Sequence, residues 1–310
     1  MAESSSKPKV IVVQGPTACG KTGLAIEVCK RFDGEVINAD SLQWVKHFDI
    51  GTAKPTPDEM QQAKHHIIDV MEPDQEYDAA IYTKMAREII EDVVTRGKVP
   101  VVAGGTGLYV RTLLGGIVDL PGRNDEIRGK YEKILEEHGA EVLFEELRSL
   151  DPEAEQHIDK HNPRRVIRAL EVILQTGKPI WVWQAEHKFK ESPYNSFNIA
   201  LKPDLEKLDK RIMIRSQQML DQGLIEETEN LLERFPDKSL KPFGSIGYKQ
   251  VVEYLGGKIE RSELLEKIAQ ATRRYARKQV RWLKTEDCIK WIDSENPLSV
   301  LNDIETFLNS

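Results

Sequence analysis

The sequence contains few cysteines and no long apolar run, and each absence excludes a class of protein. Of its 310 residues only three are cysteine, Cys19, Cys29 and Cys288, and no two of them form a CxxC pair. We therefore expect neither a disulfide framework nor a cysteine-rich zinc site. The longest aliphatic runs are about four residues, as in Val10 to Val13, whereas a membrane-spanning helix needs roughly 18 or more. No membrane span is expected.

The N-terminal segment MAESSSKPK lacks the apolar stretch of a signal peptide, so we expect a frayed tail on a cytoplasmic protein. The net charge of −7 by itself argues weakly against a nucleic-acid partner, because binding phosphates requires clustered Lys and Arg. The basic residues are clustered, however: residues 272–284 (TRRYARKQVRWLK) contain six Lys or Arg and no acid.

Short aliphatic segments alternate with helical ones in the first third of the chain. Strands are predicted at residues 10–14, 35–39 and 99–103, with a helix at 78–95 between the second and third. This alternation predicts an α/β fold with a parallel sheet core flanked by helices.

The pattern changes at about residue 119, where apolar residues at helical spacing stand among dense charges. We predict a helical insertion domain over residues 119–195, with a helix that stops at Gly177, and a core domain formed by residues 1–118 and 196–310. After a polar stretch at 186–198 and a short strand at 198–202, the chain is predicted to be mostly helical.

A phosphate-binding motif follows the first predicted strand. The sequence GPTACGKT matches G-x-x-x-x-G-K-[ST] and stands between a strand and a helix, as this motif requires. Its glycines let backbone N–H groups converge on phosphate oxygens, the lysine balances phosphate charge, and the threonine can hold Mg²⁺. The predicted diphosphate-binding residues are Gly15, Pro16, Thr17, Ala18, Cys19, Gly20, Lys21 and Thr22.

The motif alone identifies neither the ligand nor the reaction. The sequence has no N-K-x-D guanine-binding motif, which argues against a GTPase, but a small-molecule kinase remains possible. Asp40 follows the second strand and could hold Mg²⁺, accept a proton, or cap a helix. The segment GGTGLY, which follows the third strand, lets Thr106 approach a ligand closely, or is a plain glycine turn.

Eight short segments, taken in order, resemble the tRNA dimethylallyltransferases of bacterial type. They are GPTACGKT, NADSLQ, FDIGTAKP, HHIIDV, GGTGLYV, RRVIRALEV, GSIGYKQ and TRRYARKQ, and they extend from about residue 9 to residue 290. The family is similar to P-loop kinases in fold. The resemblance implies that the phosphate-binding loop holds dimethylallyl diphosphate and releases pyrophosphate, with Mg²⁺ as cofactor, and that the acceptor is N6 of the adenosine 3′ of the tRNA anticodon.

The resemblance also implies roles for individual residues. Asp40 matches the family's general base, Thr106 the threonine that contacts the leaving diphosphate, and Arg215 an arginine near the diphosphate, although a solvated helix arginine is the alternative for Arg215. Lys21 stabilises the leaving charge, and Thr22 and Asp40 are the candidate Mg²⁺ ligands.

The implied tRNA contacts are spread along the chain. The insertion is expected to hold the anticodon stem-loop, and residues 40–43 to meet the flipped base; solvated helix faces are the alternative for the arginines. These contacts are Asp40, Ser41, Leu42, Gln43, Thr106, Arg128, Arg164, Arg165, Val166, Ile167, Arg168, Gly247, Tyr248, Lys249, Arg273, Arg277 and Arg281.

Three departures from the family pattern stand out. Cys19 occupies a position where serine is usual, the segment QWVKHF leaves the base contacts of Trp44 and His47 open, and no C-terminal zinc finger is present. Relatives that prenylate free adenine nucleotides share the phosphate-binding loop, but the GTAKP and TRRYARKQ segments match the tRNA branch. Because no heptad pattern is present, we expect a monomer.

Overall fold

The computed structural model describes residues 7–187 and 193–310. The predicted tail at 1–9 and the polar stretch at 186–198 fall partly on residues outside these ranges. The described residues divide into two compact units, one from residues up to Leu114 and from Pro193 to Ser310, the other from residues 115–187.

The first unit is built on one six-stranded parallel sheet, which confirms the predicted α/β fold. The strand order is β3-β2-β4-β1-β5-β6, so β1 lies between β4 and β5. The strands are β1 (Lys9–Gln14), β2 (Gly34–Asn38), β3 (His65–His66), β4 (Val99–Gly104), β5 (Asn195–Lys202) and β6 (Ile289–Asp293). Because all strands are parallel, their carboxyl ends meet at one edge, where α/β proteins bind ligands.

Helices cover both faces of this sheet. Val10 and Val12 pack into one apolar core and Ile11 and Val13 into another, so β1 is buried on both faces. The helices are α1 (Lys21–Phe32), α2 (Pro57–Gln62), α3 (Ala79–Thr95), α4 (Gly107–Gly115), α9 (Leu205–Asp221), α10 (Leu224–Arg234), α11 (Tyr248–Leu255), α12 (Arg261–Leu283) and α13 (Leu301–Asn309).

Helices are the only regular elements among the described residues of the second unit. Its helices are α5 (Asp125–Leu150), α6 (Ala154–His157), α7 (Pro163–Thr176) and α8 (Ile180–His187). α5 bends at Gly139, whose φ of 84° is not helical. The predicted helix stop is confirmed, since Gly177 forms the C-terminal cap of α7. Tyr131, Leu143, Leu147 and Leu170 lie at the centre of an apolar core of its own.

Two strands, β3 and β6, were not predicted, although the chain after residue 202 is mostly helical as expected. The two residues of β3 are too few to give a periodic pattern. β6 has the sequence IKWID, which contains two charges among five residues because it lies at the edge of the sheet. No helix among the described residues is long and apolar enough to cross a membrane.

Candidate active site

The predicted phosphate-binding loop connects β1 to α1. β1 ends at Gln14 and α1 begins at Lys21, so residues 15–20 span the gap. Gly20 has a φ of 93°, a left-handed conformation that only glycine adopts without strain. The Lys21 ammonium donates to the Pro16 carbonyl at 2.7 Å and so lies across the loop. The strand, loop and helix form the context that an anion-binding loop of this kind requires.

Asp40 lies two residues beyond the end of β2. Its N–H donates to Asn38 Oδ1 at 3.1 Å, and its own Oδ1 accepts the Leu42 N–H at 2.9 Å. Residues 41–44 form turns and no helix, so the helix-capping alternative is wrong. The aspartate turn fixes the direction of the carboxylate, which is available for proton transfer or metal binding.

The turn after β4 is joined to the segment that carries Asp40. Thr106 Oγ1 accepts the Ser41 N–H at 3.0 Å, and the Thr106 N–H donates to the Ala39 carbonyl at 3.1 Å. A Cβ on Gly104 would lie 2.2 Å from the Ala39 carbonyl oxygen, so this close approach requires glycine. The glycine turn therefore holds Thr106 beside Asp40.

Arg215 reaches the phosphate-binding loop from α9. Its guanidinium donates to Thr17 Oγ1 at 3.4 Å. Burial lowers the pKa of Arg215, and the nearby Asp40 carboxylate opposes this effect. An arginine nevertheless stays charged in proteins, so Arg215 adds a positive charge beside the loop. The alternative of a solvated helix arginine is thus wrong.

Sequence reasoning missed Gln279, which joins two loops of the site. Its Oε1 accepts the Thr17 N–H at 2.9 Å, and its Nε2 donates to the Gly105 carbonyl at 2.9 Å. Gln279 is 7% exposed, on the face of α12 that also buries Ala276 and Leu283. One polar residue on an otherwise apolar helix face was the signal that could have identified it.

Tyr275 lies one helical turn from Gln279, in the same site. More than a third of the residue is exposed, but its hydroxyl lies in a buried environment that raises its pKa, as does the Asp40 carboxylate. Hydrogen bonds from Thr106 and Gln279 lower that pKa in part. Tyr275 thus places a hydroxyl beside Asp40 and Thr106, a role that sequence reasoning had not assigned.

Two cavities open beside these groups. The smaller, of about 100 Å³, is lined by Thr22, Asp40, Arg215 and Tyr275 among others. The larger, of about 880 Å³, shares Lys21, Thr22 and Arg215 with it and adds apolar residues. The apolar wall includes Ile50, Met60, Ile214 and Met219. The cationic groups therefore stand where the two cavities meet, and Asp40 faces the smaller one.

The site has oxygen ligands suited to Mg²⁺. No cluster of three or more His, Cys, Asp or Glu that could hold a metal occurs in the described parts of the chain. Mg²⁺ bound to a phosphate needs only one or two protein oxygens, because waters and phosphate oxygens complete its shell. Thr22 and Asp40 line the same small cavity, whose wall also contains His65 with an unpaired Nε2. These residues fit the ion.

The structure shows how the arginines of α12 are paired. Arg273 binds Glu266, and Arg277 donates to Asp209 at 2.8 Å. Arg281 is exposed. The predicted basic stripe is therefore partly neutralised by acids, and its role in binding RNA stays a prediction.

The arginines predicted to contact RNA in the second unit differ in environment. Arg128 and Arg168 both bind the fully buried Glu171, which also accepts the Asn124 N–H at 2.6 Å. Arg164 and Arg165 are exposed at the start of α7. The first pair compensates a buried charge, whereas the second pair presents its charge to solvent.

Several other predicted contacts have side chains in the protein interior. Val166 and Ile167 pack in the core of the second unit, so their side chains do not face a ligand. Tyr248 is also buried, and its hydroxyl accepts the Gly51 N–H at 3.1 Å and binds Glu227. The N–H of its neighbour Gly247 donates to Gln250. Of residues 247–249, only Lys249 is exposed.

The segment after Asp40 is similarly fixed. The Gln43 amide donates to the carbonyls of Thr52 and Ala53, at 3.2 and 2.9 Å. Trp44 is fully buried, and its indole N–H donates to the Ser41 carbonyl at 2.8 Å. Trp44 is therefore a core residue that supports Ser41, and it does not present its ring to a base.

The chain resembles known proteins along most of its length. A tRNA dimethylallyltransferase of Thermoanaerobacter sp. is 44% identical over 287 residues, which cover 91% of each chain. Another, of Geobacter sulfurreducens, is 39% identical over 291 residues, or 94% of each chain.

Solved structures agree. The full-length tRNA isopentenylpyrophosphate transferase of Bacillus halodurans superimposes with a TM-score of 0.73 at 32% identity, covering 98% of this chain and 97% of that one. A eukaryotic dimethylallyltransferase acting on tRNA gives a TM-score of 0.79 at 27% identity, covering 96% and 80%. The family model described as IPP transferase matches residues 43–286, and the chain belongs to this family.

Proposed function

We propose that the protein transfers the dimethylallyl group of dimethylallyl diphosphate to N6 of the adenosine 3′ of the anticodon in tRNA, releasing pyrophosphate. The observation that carries this proposal is the convergence of three cationic or hydroxyl groups of the phosphate site with one carboxylate. Lys21, Thr22 and Arg215 belong to the phosphate site, and Asp40 shares the small cavity with Thr22 and Arg215. The curated relatives are named for this activity.

The leaving group is stabilised by charge. As the allylic C–O bond breaks, its electron pair passes to the diphosphate, and negative charge increases on the phosphate oxygens. Lys21, Arg215 and the loop amides supply positive charge and N–H donors at that position, and Thr106 supplies a hydroxyl. Bound Mg²⁺, for which Thr22 would be a ligand, would add Lewis-acid stabilisation of the same charge.

The acceptor amine is activated by Asp40. The N6 nitrogen forms the new bond to carbon, and its proton passes to the Asp40 carboxylate, because an aromatic amine is a poor nucleophile without a base. Asp40 is suited to this role because the hydrogen bond from the Leu42 N–H to its Oδ1 holds the carboxylate in one orientation. The Tyr275 hydroxyl stands beside the same group.

We further propose that the anticodon stem-loop binds through exposed cationic residues. Arg164 and Arg165 in the second unit and Lys249 and Arg281 in the first are exposed. Such residues bind phosphates without desolvating a buried charge, whereas Arg128 and Arg168 are occupied by Glu171. With tRNA as its substrate, the enzyme would act in the cytoplasm.

Incubation with radiolabelled dimethylallyl diphosphate and unmodified tRNA tests the proposal. We expect label in the RNA, in a nucleoside that co-migrates with N6-dimethylallyladenosine, without any requirement for ATP. A control tRNA with guanosine at the acceptor position should stay unlabelled. Label that stays out of RNA, or phosphoryl transfer from labelled ATP to a small acceptor, would favour the kinase alternative.

A further inference from the structure

Residues 49–55, which we call the dividing loop, contribute to the walls of both cavities. Ala53 and Pro55 line the large and the small cavity alike, Thr52 lines the small one, and Lys54 lines the large one. Lys21 of the phosphate-binding loop lines both cavities as well. A shift of the dividing loop therefore changes the space beside the phosphate site.

The dividing loop has a conformation that needs support from the surrounding structure. Ala53 has a φ of 48°, in the left-handed region that residues other than glycine rarely adopt. The ring of Tyr248 lies so close to Gly51 that a Cβ there would be 2.4 Å from it. A strained backbone persists only where neighbouring groups hold it in place.

Tyr248 and Glu227 hold the start of the dividing loop. The Tyr248 hydroxyl accepts the Gly51 N–H at 3.1 Å and donates to Glu227. The Glu227 carboxylate also accepts the N–H of Asp49 at 3.3 Å and that of Ile50 at 3.0 Å. Burial raises the pKa of Tyr248, as does the nearby carboxylate, so the hydroxyl keeps its proton. Two side chains thus hold three consecutive N–H groups of the loop.

The dividing loop in turn holds a residue close to Asp40. The carbonyls of Thr52 and Ala53 accept from Gln43 Nε2 at 3.2 and 2.9 Å. Gln43 follows Asp40 by three residues and lines the small cavity with it. A chain of hydrogen bonds therefore extends from α10 and α11, through the dividing loop, to the segment that carries Asp40.

We propose that Tyr248 is a positioning residue for the transfer reaction: its hydroxyl, together with Glu227, fixes the dividing loop and thereby the spacing between the diphosphate and Asp40. The hydroxyl acts through the loop and touches neither substrate. This rests on the proposed function, which places the diphosphate at Lys21 and the acceptor base at Asp40. The RNA contact that the sequence predicts for Tyr248 is the alternative.

The hydroxyl can be removed while the aromatic ring stays in the core. Tyr248→Phe removes the acceptor of the Gly51 N–H and the donor to Glu227. Tyr82→Phe is the matched control, because Tyr82 lies in the same apolar core and its hydroxyl has no hydrogen-bond partner among the described residues. Glu227→Ala removes the acceptor of the other two N–H groups and should act in the same direction as Tyr248→Phe.

Hydrogen–deuterium exchange, read by mass spectrometry, measures the dividing loop without any substrate. We expect the peptide that covers residues 49–55 to exchange about tenfold faster in Tyr248→Phe, because an amide that loses its hydrogen bond loses protection. Peptides from β1 and β4 should exchange as in the wild type, which verifies the fold. Tyr82→Phe should match the wild type throughout.

Single-turnover transfer from dimethylallyl diphosphate to tRNA measures the consequence for the reaction. With both substrates saturating, we expect the transfer rate of Tyr248→Phe to fall about 10- to 100-fold, because reacting groups that are misplaced react slowly. Its affinity for tRNA in filter binding should stay within about threefold of the wild type, because phosphate contacts elsewhere dominate that affinity.

Four results would overturn the proposal. They are unchanged exchange of residues 49–55 in Tyr248→Phe, faster exchange with a normal transfer rate, equal losses of rate in Tyr248→Phe and Tyr82→Phe, and weakened tRNA binding with a normal rate at saturation. The last result would assign Tyr248 to RNA. A wild-type protein that transfers no label would count against the proposed function, and the exchange data would still show whether Tyr248 holds the loop.

Discussion

The backbone N–H of Thr17 donates to the side chain of Gln279 at 2.9 Å, so the phosphate-binding loop is held by a residue 262 positions later in the chain. The side-chain amide of Gln279 also donates to the carbonyl of Gly105, which is next to Thr106. One side chain thus sets the spacing between the loop that holds the leaving group and the turn that supports Asp40.

Replacing Gln279 should impair catalysis without removing any reacting group. Gln279→Leu leaves the Thr17 N–H and the Gly105 carbonyl without their partner, at a cost of about 1–3 kcal/mol per buried group. We expect a fall in kcat of about tenfold or more, because a misplaced loop misaligns the reacting atoms. Single-turnover transfer measures it, with Gln270→Leu on the exposed face of α12 as control. Wild-type turnover by Gln279→Leu would show that the loops need no such connection.

Asp40→Asn separates the two remaining roles of the carboxylate. Asparagine can still accept the Leu42 N–H, so the turn is retained. As the base, Asp40 should be essential to turnover, with kcat falling by about 10² to 10⁴-fold and both substrates still bound. As a metal ligand it would instead weaken diphosphate binding, which added Mg²⁺ would partly restore. Near-normal transfer would exclude Asp40 from the mechanism.

Lys21→Ala should lower both the affinity for dimethylallyl diphosphate and kcat. The ammonium acts on the bound phosphates and acts more strongly as charge builds up in the transition state. Steady-state kinetics with varied diphosphate measure both effects, and Lys30→Ala at the far end of α1 is the control. Unchanged kinetics in Lys21→Ala would contradict a phosphate-binding role for the motif.

Exposed arginines of the second unit should determine the salt dependence of tRNA binding. Arg164→Ala combined with Arg165→Ala should reduce the slope of log affinity against log salt by about 0.7 to 0.9 for each phosphate that the variant no longer neutralises. Arg148→Ala is the matched control, because Arg148 is an exposed arginine of the same unit that pairs with Glu145. Filter binding at several salt concentrations gives the slopes. Equal slopes for the wild type and both variants would show that Arg164 and Arg165 face solvent and bind no phosphate.

Acid should destabilise the sheet through Glu35. Hydrogen bonds from Arg96 lower the pKa of this buried carboxyl from 4.5 to about 2. Because the pKa of Glu35 is lower in the folded than in the unfolded state, the ionised carboxylate stabilises the fold fully above about pH 4.5. This stabilisation, of about 3 kcal/mol, is lost as the pH falls from about 4.5 to about 2. Urea unfolding at pH 7, 4 and 3 should show this decrease in the wild type and a flatter profile in Glu35→Gln. Parallel profiles of unfolding free energy against pH for the wild type and Glu35→Gln would show that Glu35 is not the cause of the destabilisation.

The sequence predicted the site better where a motif stands beside a strand than where the partners are distant. The phosphate-binding loop and the strands before Asp40 and Thr106 carry local signals of periodicity and glycine content. Arg215 was identified only by resemblance. Gln279 was missed because its polar position on an apolar helix face does not show which distant groups it bonds. Arg128 looked like an exposed charge for a similar reason, since its partner Glu171 is 43 residues away.

The strand order also determines when the site can form during synthesis. β1 is the first strand made, but its neighbour β5 is complete only at Lys202, after all residues of the second unit, and Gln279 follows later still. On the ribosome, β1 therefore remains unpaired along one edge while well over half of the 310 residues emerge, which exposes an aliphatic strand to aggregation. The phosphate-binding loop reaches its final form only after Gln279 has been made.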